Sequence, residues 1–161
     1  GTIKRSKRKN NLGIQGAECI ATLIAKNKTI ESINVASNNI GTYGGSLIGE
    51  ALSKNDTLKV LKVADNSLFS DGAISIIKYA DHLEDLNLGH NTLKCEVGKP
   101  LCKLLKYSTS IKKLNLQHNE IHFDGCKYIG HGLKQNKSLE VLNIRGNMIK
   151  DDGLLILSSG L

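Results

Sequence analysis

One eleven-residue pattern recurs along the chain, and no other feature constrains the fold as strongly. The template reads L-x-x-L-x-L-x-x-N-x-L, with Ile or Val also accepted at the Leu positions. Its five intact copies are IESINVASNNI (residues 30–40), LKVLKVADNSL (58–68), LEDLNLGHNTL (83–93), IKKLNLQHNEI (111–121) and LEVLNIRGNMI (139–149). A damaged sixth copy precedes them, because residues 10–12 (Asn-Asn-Leu) stand one full period before the matching residues 38–40. Self-similarity at a fixed period predicts a solenoid, in which each repeat packs only on its neighbours.

The second half of each copy has the spacing of a helix. In the damaged first copy, the apolar residues Ala17, Ile20, Ala21 and Ile24 recur at i, i+3, i+4 and i+7, which indicates an amphipathic helix. The equivalent positions of the next four copies hold Gly45, Ile48, Gly49 and Leu52; Ala73, Ile76, Ile77 and Ala80; Gly98, Leu101, Cys102 and Leu105; and Cys126, Ile129, Gly130 and Leu133. The small residues in this set predict that each helix lies close to the strand layer.

The intervals between copies support this division into a strand half and a helix half. The Asn of the template stands at positions 38, 66, 91, 119 and 147, so the second interval is shorter than the other three, which are equal. The three residues missing from the short interval fall near residues 79–82, and they amount to about one turn of a helix. A shortened helix leaves the next strand in phase, so the deletion falls where the predicted structure tolerates it.

These patterns predict an α/β fold, a right-handed solenoid of alternating strands and helices. Alternate residues of each L-x-L segment, such as Leu86 and Leu88, point inward. Parallel strands lie about 4.8 Å apart, whereas packed helices need roughly 8–10 Å. The stack must therefore curve, with parallel strands on its concave face and helices on its convex face. We expect Leu61, Leu86, Leu114 and Leu142 to form one interior column.

The repeat resembles the ribonuclease-inhibitor-like leucine-rich repeats from about Asn10 onward. The resemblance rests on the strand motif, on the G-x-x-G-A opening of the helix half (Gly13–Ala17) and on the period of about 28 residues. It implies a leucine-rich repeat horseshoe that binds protein, as in ribonuclease inhibitors, NOD-like receptors, Ran GTPase-activating proteins and some bacterial effectors. The repeat type is specific, but membership of any one of those families does not follow from it.

The two ends depart from the template. We expect one leucine-rich repeat domain over residues 1–161, with five to six repeats and a basic, irregular segment over residues 1–9. Arg5 and Lys7 occupy Leu positions of the damaged copy, and the chain ends at Leu161 within a helix half. Because solenoids need protected ends, we expect the chain to be a fragment of a longer array. The alternative is that its open edges are covered by a partner or by self-association with a second copy.

Positive charge is concentrated at the N-terminus. Five of the 22 basic residues are Lys4, Arg5, Lys7, Arg8 and Lys9, and the remaining 151 residues carry 17 basic and 15 acidic groups. Such a run could target the nucleus or bind nucleic acid, but a solvated tail is more common, and nucleic acid is not the expected partner. No apolar run approaches the ~20 residues that span a bilayer, so no membrane association is expected.

The four cysteines favour a reducing compartment. Cys19, Cys95, Cys102 and Cys126 include no C-x-x-C pair and match no disulfide framework. We therefore expect reduced thiols and a cytoplasmic protein, located in host cytoplasm if the chain is a secreted effector.

The repeat also predicts which side chains face the concave surface. Positions three, five and seven of the template point outward, and position eight follows at the end of the strand. The candidate partner-binding residues at these positions are Asn34, Lys62, Asp65, Asp85, Asn87, His90, Lys113, Asn115, Gln117, His118, Asn143 and Arg145. This surface is polar, mixed in charge and poor in aromatic residues, and Arg145 is its clearest anchor because Arg is frequent at binding hot spots.

The recurring template Asn has a predicted structural task. Just past each strand the chain turns and leaves backbone groups without ladder partners, and an inward Asn both donates and accepts there. The predicted ladder consists of Asn38, Asn66, Asn91, Asn119 and Asn147.

Other motifs give weaker signals. Asp65, His90 and His118 share one row, but ligands spread along a line suit a metal poorly, and we expect neither metal nor cofactor. The segment 125–132 (GCKYIGHG) lacks the Lys-Ser/Thr ending of a phosphate loop. Three N-x-S/T sequons begin at Asn27, Asn55 and Asn136, just past each helix, where an Asn in left-handed conformation could end the helix.

The sequence thus predicts a non-enzymatic protein-interaction module that binds another protein through its concave face. The alternative is a regulator or inhibitor of an enzyme. One example of such a regulator is a GTPase activator that uses Arg145, and another is a pathogen effector that blocks a partner's active site.

Overall fold

Strands and helices alternate along the whole described chain. The computed structural model describes the backbone of Thr2–Ile3 and residues 10–159. The strands are β1 (Thr2–Ile3), β2 (Ser32–Asn34), β3 (Val60–Lys62), β4 (Asp85–Asn87), β5 (Lys113–Asn115) and β6 (Val141–Asn143). The helices are α1 (Gly13–Lys26), α2 (Gly41–Leu52), α3 (Phe69–Lys78), α4 (Gly98–Tyr107), α5 (His122–Leu133) and α6 (Lys150–Ser158). A short 3-10 helix, Cys95–Val97, leads into α4.

The strands form one parallel sheet whose order follows the chain. Leu61 pairs in register with Leu86, Leu86 with Leu114, and Leu114 with Leu142. The first three leucines are at most 1% exposed, and Leu142 on the last strand is half-buried. The predicted interior column is therefore present, and the predicted solenoid with parallel strands on the concave face and helices on the convex face is confirmed.

The first strand pairs two residues earlier than the repeat period would place it. The register aligns Ile3 with Ile33, whereas a step of one full period back from Ile33 reaches Arg5. Thr2 and Ile3 are thus an exception to the irregular segment predicted over residues 1–9. The five basic residues of that segment lie outside the described residues, so their predicted behaviour stays a prediction.

Glycines in the helices allow neighbouring helices to approach each other. A Cβ on Gly45 would lie 2.9 Å from the Cα of Gly72, and one on Gly98 would lie 3.0 Å from the Cα of Gly125. A Cβ on Gly49 would lie 2.4 Å from the backbone of Ser75. For these three glycines the expectation that small residues bring the helix close to the strand layer is therefore wrong, because their closest contacts are to the next helix.

The turns from helix to strand carry a row of polar side chains. Asn55 donates through Nδ2 to the carbonyl oxygens of Ile24 (2.7 Å) and Asn27 (2.9 Å) of the preceding repeat. Its Oδ1 accepts from the backbone N–H of Leu58 at 2.7 Å. Asn136 makes the same kind of contacts in a later repeat. These residues are turn-forming, but Asn27 has φ −84°, and the other two also lack positive φ. The predicted left-handed conformation is therefore wrong.

All four cysteines are free thiols. Burial raises the pKa of Cys126 to about 11 and also raises the pKa of Cys102. Both thiols stand at helix positions where most other repeats have small residues, so they pack as small apolar groups. Within the described ranges, no helix combines the length and the apolar character that crossing a membrane requires.

The shortened repeat places His82 in a poorly solvated position. Its side chain is 20% exposed, Nδ1 lies 3.7 Å from Oδ1 of Asp81, and Nε2 is buried without a hydrogen-bond partner among the described residues. Burial lowers the pKa of His82, and the opposing attraction of Asp81 is smaller.

Lowering the pH is therefore expected to destabilise the fold through His82. The unfolded chain binds a proton near the ordinary pKa of about 6.5, but the folded protein binds it only at lower pH. Between these two pKa values the unfolded state holds more protons, so stability falls as the pH decreases. Denaturant unfolding at pH 7.5 and 5.5 should show a smaller loss for His82→Gln than for the wild type. Exposed His131→Gln is the control, and an equal effect of both variants would contradict the assignment.

Candidate protein-binding surface

The outward residues of the sheet form the concave face, which we define as template positions three, five, seven and eight of β2 to β6 and the residues that follow them. Six of the twelve candidate residues line one shallow hollow of about 470 Å³: Asn34, Lys62, Asp65, Asn87, His90 and Gln117. The remaining candidates lie beside it or farther along the sheet: Asp85, Lys113, Asn115, His118, Asn143 and Arg145. The structure thus brings half of the predicted set together around one depression.

Two small residues at position seven, Ala36 and Ala64, line the floor of the hollow. Ala36, Ala64 and Gly89 occupy this position in the first three intact copies, whereas Gln117 and Arg145 occupy it in the last two. A Cβ on Gly89 would lie 3.0 Å from Cγ of Gln117, so the longer side chain closes one end. The floor is consequently low beside β2 and β3 and rises toward β5.

Charged groups around the hollow are partly paired. Nζ of Lys62 lies 3.6 Å from a carboxylate oxygen of Asp85, one strand away. Both side chains are partly solvated, so this pair contributes little to stability. Lys113 and Arg145 are exposed, and among the described residues neither forms an ion pair. They are therefore available to a partner's carboxylates.

The row of Asn at position five has a local task as well. The side-chain oxygens of Asn34, Asn87 and Asn115 each accept a hydrogen bond from the backbone N–H two residues ahead, at 3.0–3.1 Å. Within residues 10–159, the NH₂ groups of these three side chains have no acceptor, whereas Asn143 donates to Oε1 of Gln117 at 2.9 Å. The bonds to the side-chain oxygens hold these three amides in place, so their NH₂ groups can donate hydrogen bonds to a bound partner.

Position eight has a backbone conformation that was not predicted from the sequence. Asp65, His90 and His118 have φ of 53°, 56° and 52°, and Gly146 has φ of 69°. Asp and His are among the residues that tolerate this left-handed region, and Gly enters it freely. The presence of Asp, His and Gly at this position is the feature of the sequence that could have predicted the left-handed conformation.

The two histidines at position eight stack on one another. Their ring centroids are 4.5 Å apart and their planes differ by 22°. A Cβ on Gly146 would lie 2.7 Å from Nδ1 of His118, so the glycine of the next repeat leaves room for this ring. The two stacked rings form a flat surface beside the hollow. No group of three or more His, Cys, Asp or Glu side chains in the described part of the chain could hold a metal ion.

Beneath this row, the template Asn residues bond successive turns together. Nδ2 of Asn91 donates to the carbonyl oxygens of Val63 (3.1 Å), Leu88 (3.0 Å) and Gly89 (3.2 Å). Its Oδ1 accepts from the backbone N–H groups of Asn66 (3.0 Å) and Leu68 (3.3 Å). Asn66 and Asn119 repeat this arrangement, and Asn147 and Asn38 make part of it. All five are at most 4% exposed, so they support the concave face from within.

Comparisons with known proteins agree with this architecture. A family model described as Leucine Rich repeat matches residues 26–49, 107–130 and 135–158. The chain resembles the solved structure of leiomodin-1 actin-binding site 2, with a TM-score of 0.71 and 18% identity over 91% of this chain and 89% of that one. It also resembles the tropomodulin C-terminal domain of Caenorhabditis elegans, with a TM-score of 0.69 and 16% identity over 90% of both chains. A sequence comparison with curated proteins gives no match.

The matched segments each cover part of a strand–helix repeat, and the two similar structures extend over nine-tenths of the chain. The chain therefore contains leucine-rich repeats and has the leucine-rich repeat fold of the ribonuclease-inhibitor-like kind, in which strand and helix alternate.

Proposed function

We propose that the chain is a protein-binding module whose concave face receives a folded partner protein in the cytoplasm. The supporting observation is that five strands hold their outward side chains in register on one surface, around a hollow that Asn34, Lys62 and His90 help to line. A rigid sheet fixes these side chains before a partner arrives, which reduces the entropy lost on binding.

The chemistry of the surface indicates what the partner presents. Exposed Lys113 and Arg145 favour acidic groups opposite β5 and β6, and the unpaired amide NH₂ groups favour carbonyl acceptors. The stacked imidazoles of His90 and His118 offer a flat surface to an apolar or aromatic side chain. The partner is thus expected to bring a mixed surface with an acidic part over the C-terminal half of the sheet.

Actin is the first candidate to test, because the similar leiomodin-1 structure is named as an actin-binding site. Actin affinity would identify the partner, whereas its absence would leave the concave face to another protein. Purified actin and a cell lysate therefore serve as two parallel sources of partner.

Reversing two charges on the concave face is expected to abolish partner capture. The variant Lys113→Glu/Arg145→Glu should weaken binding by at least about tenfold, because each change places a like charge opposite the partner. Its melting temperature should stay within about 2 °C of the wild type, since both side chains are exposed. Immobilised protein, quantitative mass spectrometry and thermal unfolding provide the measurements.

The matched control is Lys54→Glu/Lys137→Glu, which makes the same change in net charge at exposed lysines of the helix-to-strand turns. Captured proteins should be lost with the concave-face variant and retained with the control. Retention by the first variant and loss by the second would place binding elsewhere.

Regulation of an enzyme is a second candidate, and it depends on one residue. Arg145 is the only arginine in the described residues and is exposed on the concave face, so it could enter a partner's active site as a GTPase activator's arginine does. Arg145→Ala should then reduce GTPase stimulation by about a thousandfold. Unchanged stimulation would exclude this role and leave simple binding intact.

A further inference from the structure

A second depression lies on the helix side, between α3 and α4. It has a volume of about 550 Å³, and its apolar lining includes Ile74 and Ile77 of α3 and Pro100, Leu104 and Tyr107 of α4. These residues recur at helical spacing, so one face of each helix forms one wall. We call this depression the α3–α4 groove.

The groove exists because the contacts that close the other helix pairs are missing here. Elsewhere, a small residue of one helix meets a glycine of the next, as Gly45 meets Gly72 and Gly98 meets Gly125. At the α3–α4 junction the position equivalent to Gly72 and Gly125 holds Val97. Because a valine needs more space than a glycine, the two helices cannot approach as closely.

Two further features keep the helices apart. Ile77 stands at the helix position that Gly49 and Gly130 occupy in α2 and α5. The repeat that contains α3 is three residues shorter than the other intact repeats, and α3 has 10 residues whereas α2 has 12. As a result, α3 packs much more closely on α2 than on α4.

Positive charge surrounds this apolar floor. Lys78, Lys99 and Lys103 line the groove, with Asp81 as the one carboxylate among its lining residues. No ion pair within the described ranges involves any of these three ammonium groups, whereas Asp81 lies 3.7 Å from His82. The uncompensated charge favours an acidic ligand.

We propose that the α3–α4 groove is a docking site for an acidic amphipathic helix of a partner protein. A helix that inserts apolar residues between α3 and α4 would complete the packing that the shortened repeat leaves open. Its flanking carboxylates would face Lys78, Lys99 and Lys103. The N-terminal segment of this chain does not fit the groove, because residues 4–9 carry five basic side chains and no acidic one.

A pair of synthetic peptides tests the proposal. The acidic peptide has leucines along one helical face and glutamates on both flanks, and the basic peptide has lysine in place of every glutamate. The acidic peptide is expected to bind the wild-type protein at least about tenfold more tightly than the basic one. Amide shifts in an NMR titration should be largest in α3 and α4.

Charge reversal in the groove should reverse the preference for the acidic peptide over the basic peptide. Lys99→Glu/Lys103→Glu is expected to weaken the acidic peptide by at least about tenfold and to strengthen the basic one. Tyr107 is 65% exposed, so Tyr107→Ala should weaken both peptides without unfolding the protein. Lys54→Glu/Lys137→Glu and the concave-face variant Lys113→Glu/Arg145→Glu should leave acidic-peptide binding unchanged.

Three results would overturn the proposal. The acidic peptide could bind no better than the basic one, or groove reversal could have no effect on its binding. Sedimentation could also reveal a dimer that Lys99→Glu/Lys103→Glu dissociates, which would assign the groove to a second copy of the chain.

Discussion

Replacing Asn91 with alanine is expected to lower the free energy of unfolding by about 3–5 kcal/mol, because several buried backbone groups lose their partner at once. The change leaves the buried N–H groups of Asn66 and Leu68 without their acceptor and removes three donated bonds. Each buried group left unsatisfied costs about 1–3 kcal/mol, and the backbone groups that lose a hydrogen-bond partner belong to two successive repeats. Denaturant unfolding followed by circular dichroism measures the loss.

The control for this prediction is Asn115→Ala. Asn115 lies on the concave face, and its side-chain oxygen accepts one bond, from the N–H of Gln117 at 3.0 Å. Its loss should cost about 1 kcal/mol or less. Similar costs at Asn91 and Asn115 would contradict the supporting role of the ladder.

Introducing a large side chain at Gly49 is expected to separate α2 from α3. A Cβ there would lie 2.4 Å from the carbonyl carbon and oxygen of Ser75 and 2.9 Å from the nitrogen of Ile76. These are backbone atoms of a packed helix, so one helix must shift. Gly49→Leu should therefore cost about 2–3 kcal/mol, after an offset of about 1 kcal/mol because leucine favours the helix more than glycine does.

Glu50→Leu provides the comparison for Gly49→Leu, since Glu50 is the next residue of α2 and is exposed. Its unfolding free energy should stay within about 0.5 kcal/mol of the wild type. A Gly49→Leu protein as stable as Glu50→Leu would show that the two helices are not in close contact.

Local periodicity was sufficient to predict the strands. Every strand from β2 to β6 occupies positions three to five of its template copy, and the alternation of inward leucine with outward polar residue fixes which face each side chain takes. The damaged first copy has no such alternation, so no strand was predicted there, although the structure has β1 at Thr2–Ile3.

Features that depend on neighbouring repeats were harder to predict. The glycines of α2 looked like contacts to the sheet, because a sequence shows that a position is small but not which element approaches it. The left-handed residues of position eight had a signal in their side-chain types. The α3–α4 groove required knowledge of how Val97, Ile77 and the deletion act together across two repeats.

The sequence was sufficient to predict which residues lie on the candidate surface, but not the hollow within that surface. The repeat places Lys62, Asn87 and Gln117 on one face of the sheet. The hollow lies over Ala36 and Ala64, which carry no binding chemistry and therefore attracted no prediction.

The central claim is that a partner protein covers the outward side chains of the parallel sheet. Covalent labelling of lysine and histidine with diethyl pyrocarbonate, with and without a bound partner, measures this coverage directly. Binding should protect Lys62, His90, Lys113 and His118, while Lys54, Lys127 and Lys137 remain fully labelled. Protection of the second group with unchanged labelling of the first would contradict the claim.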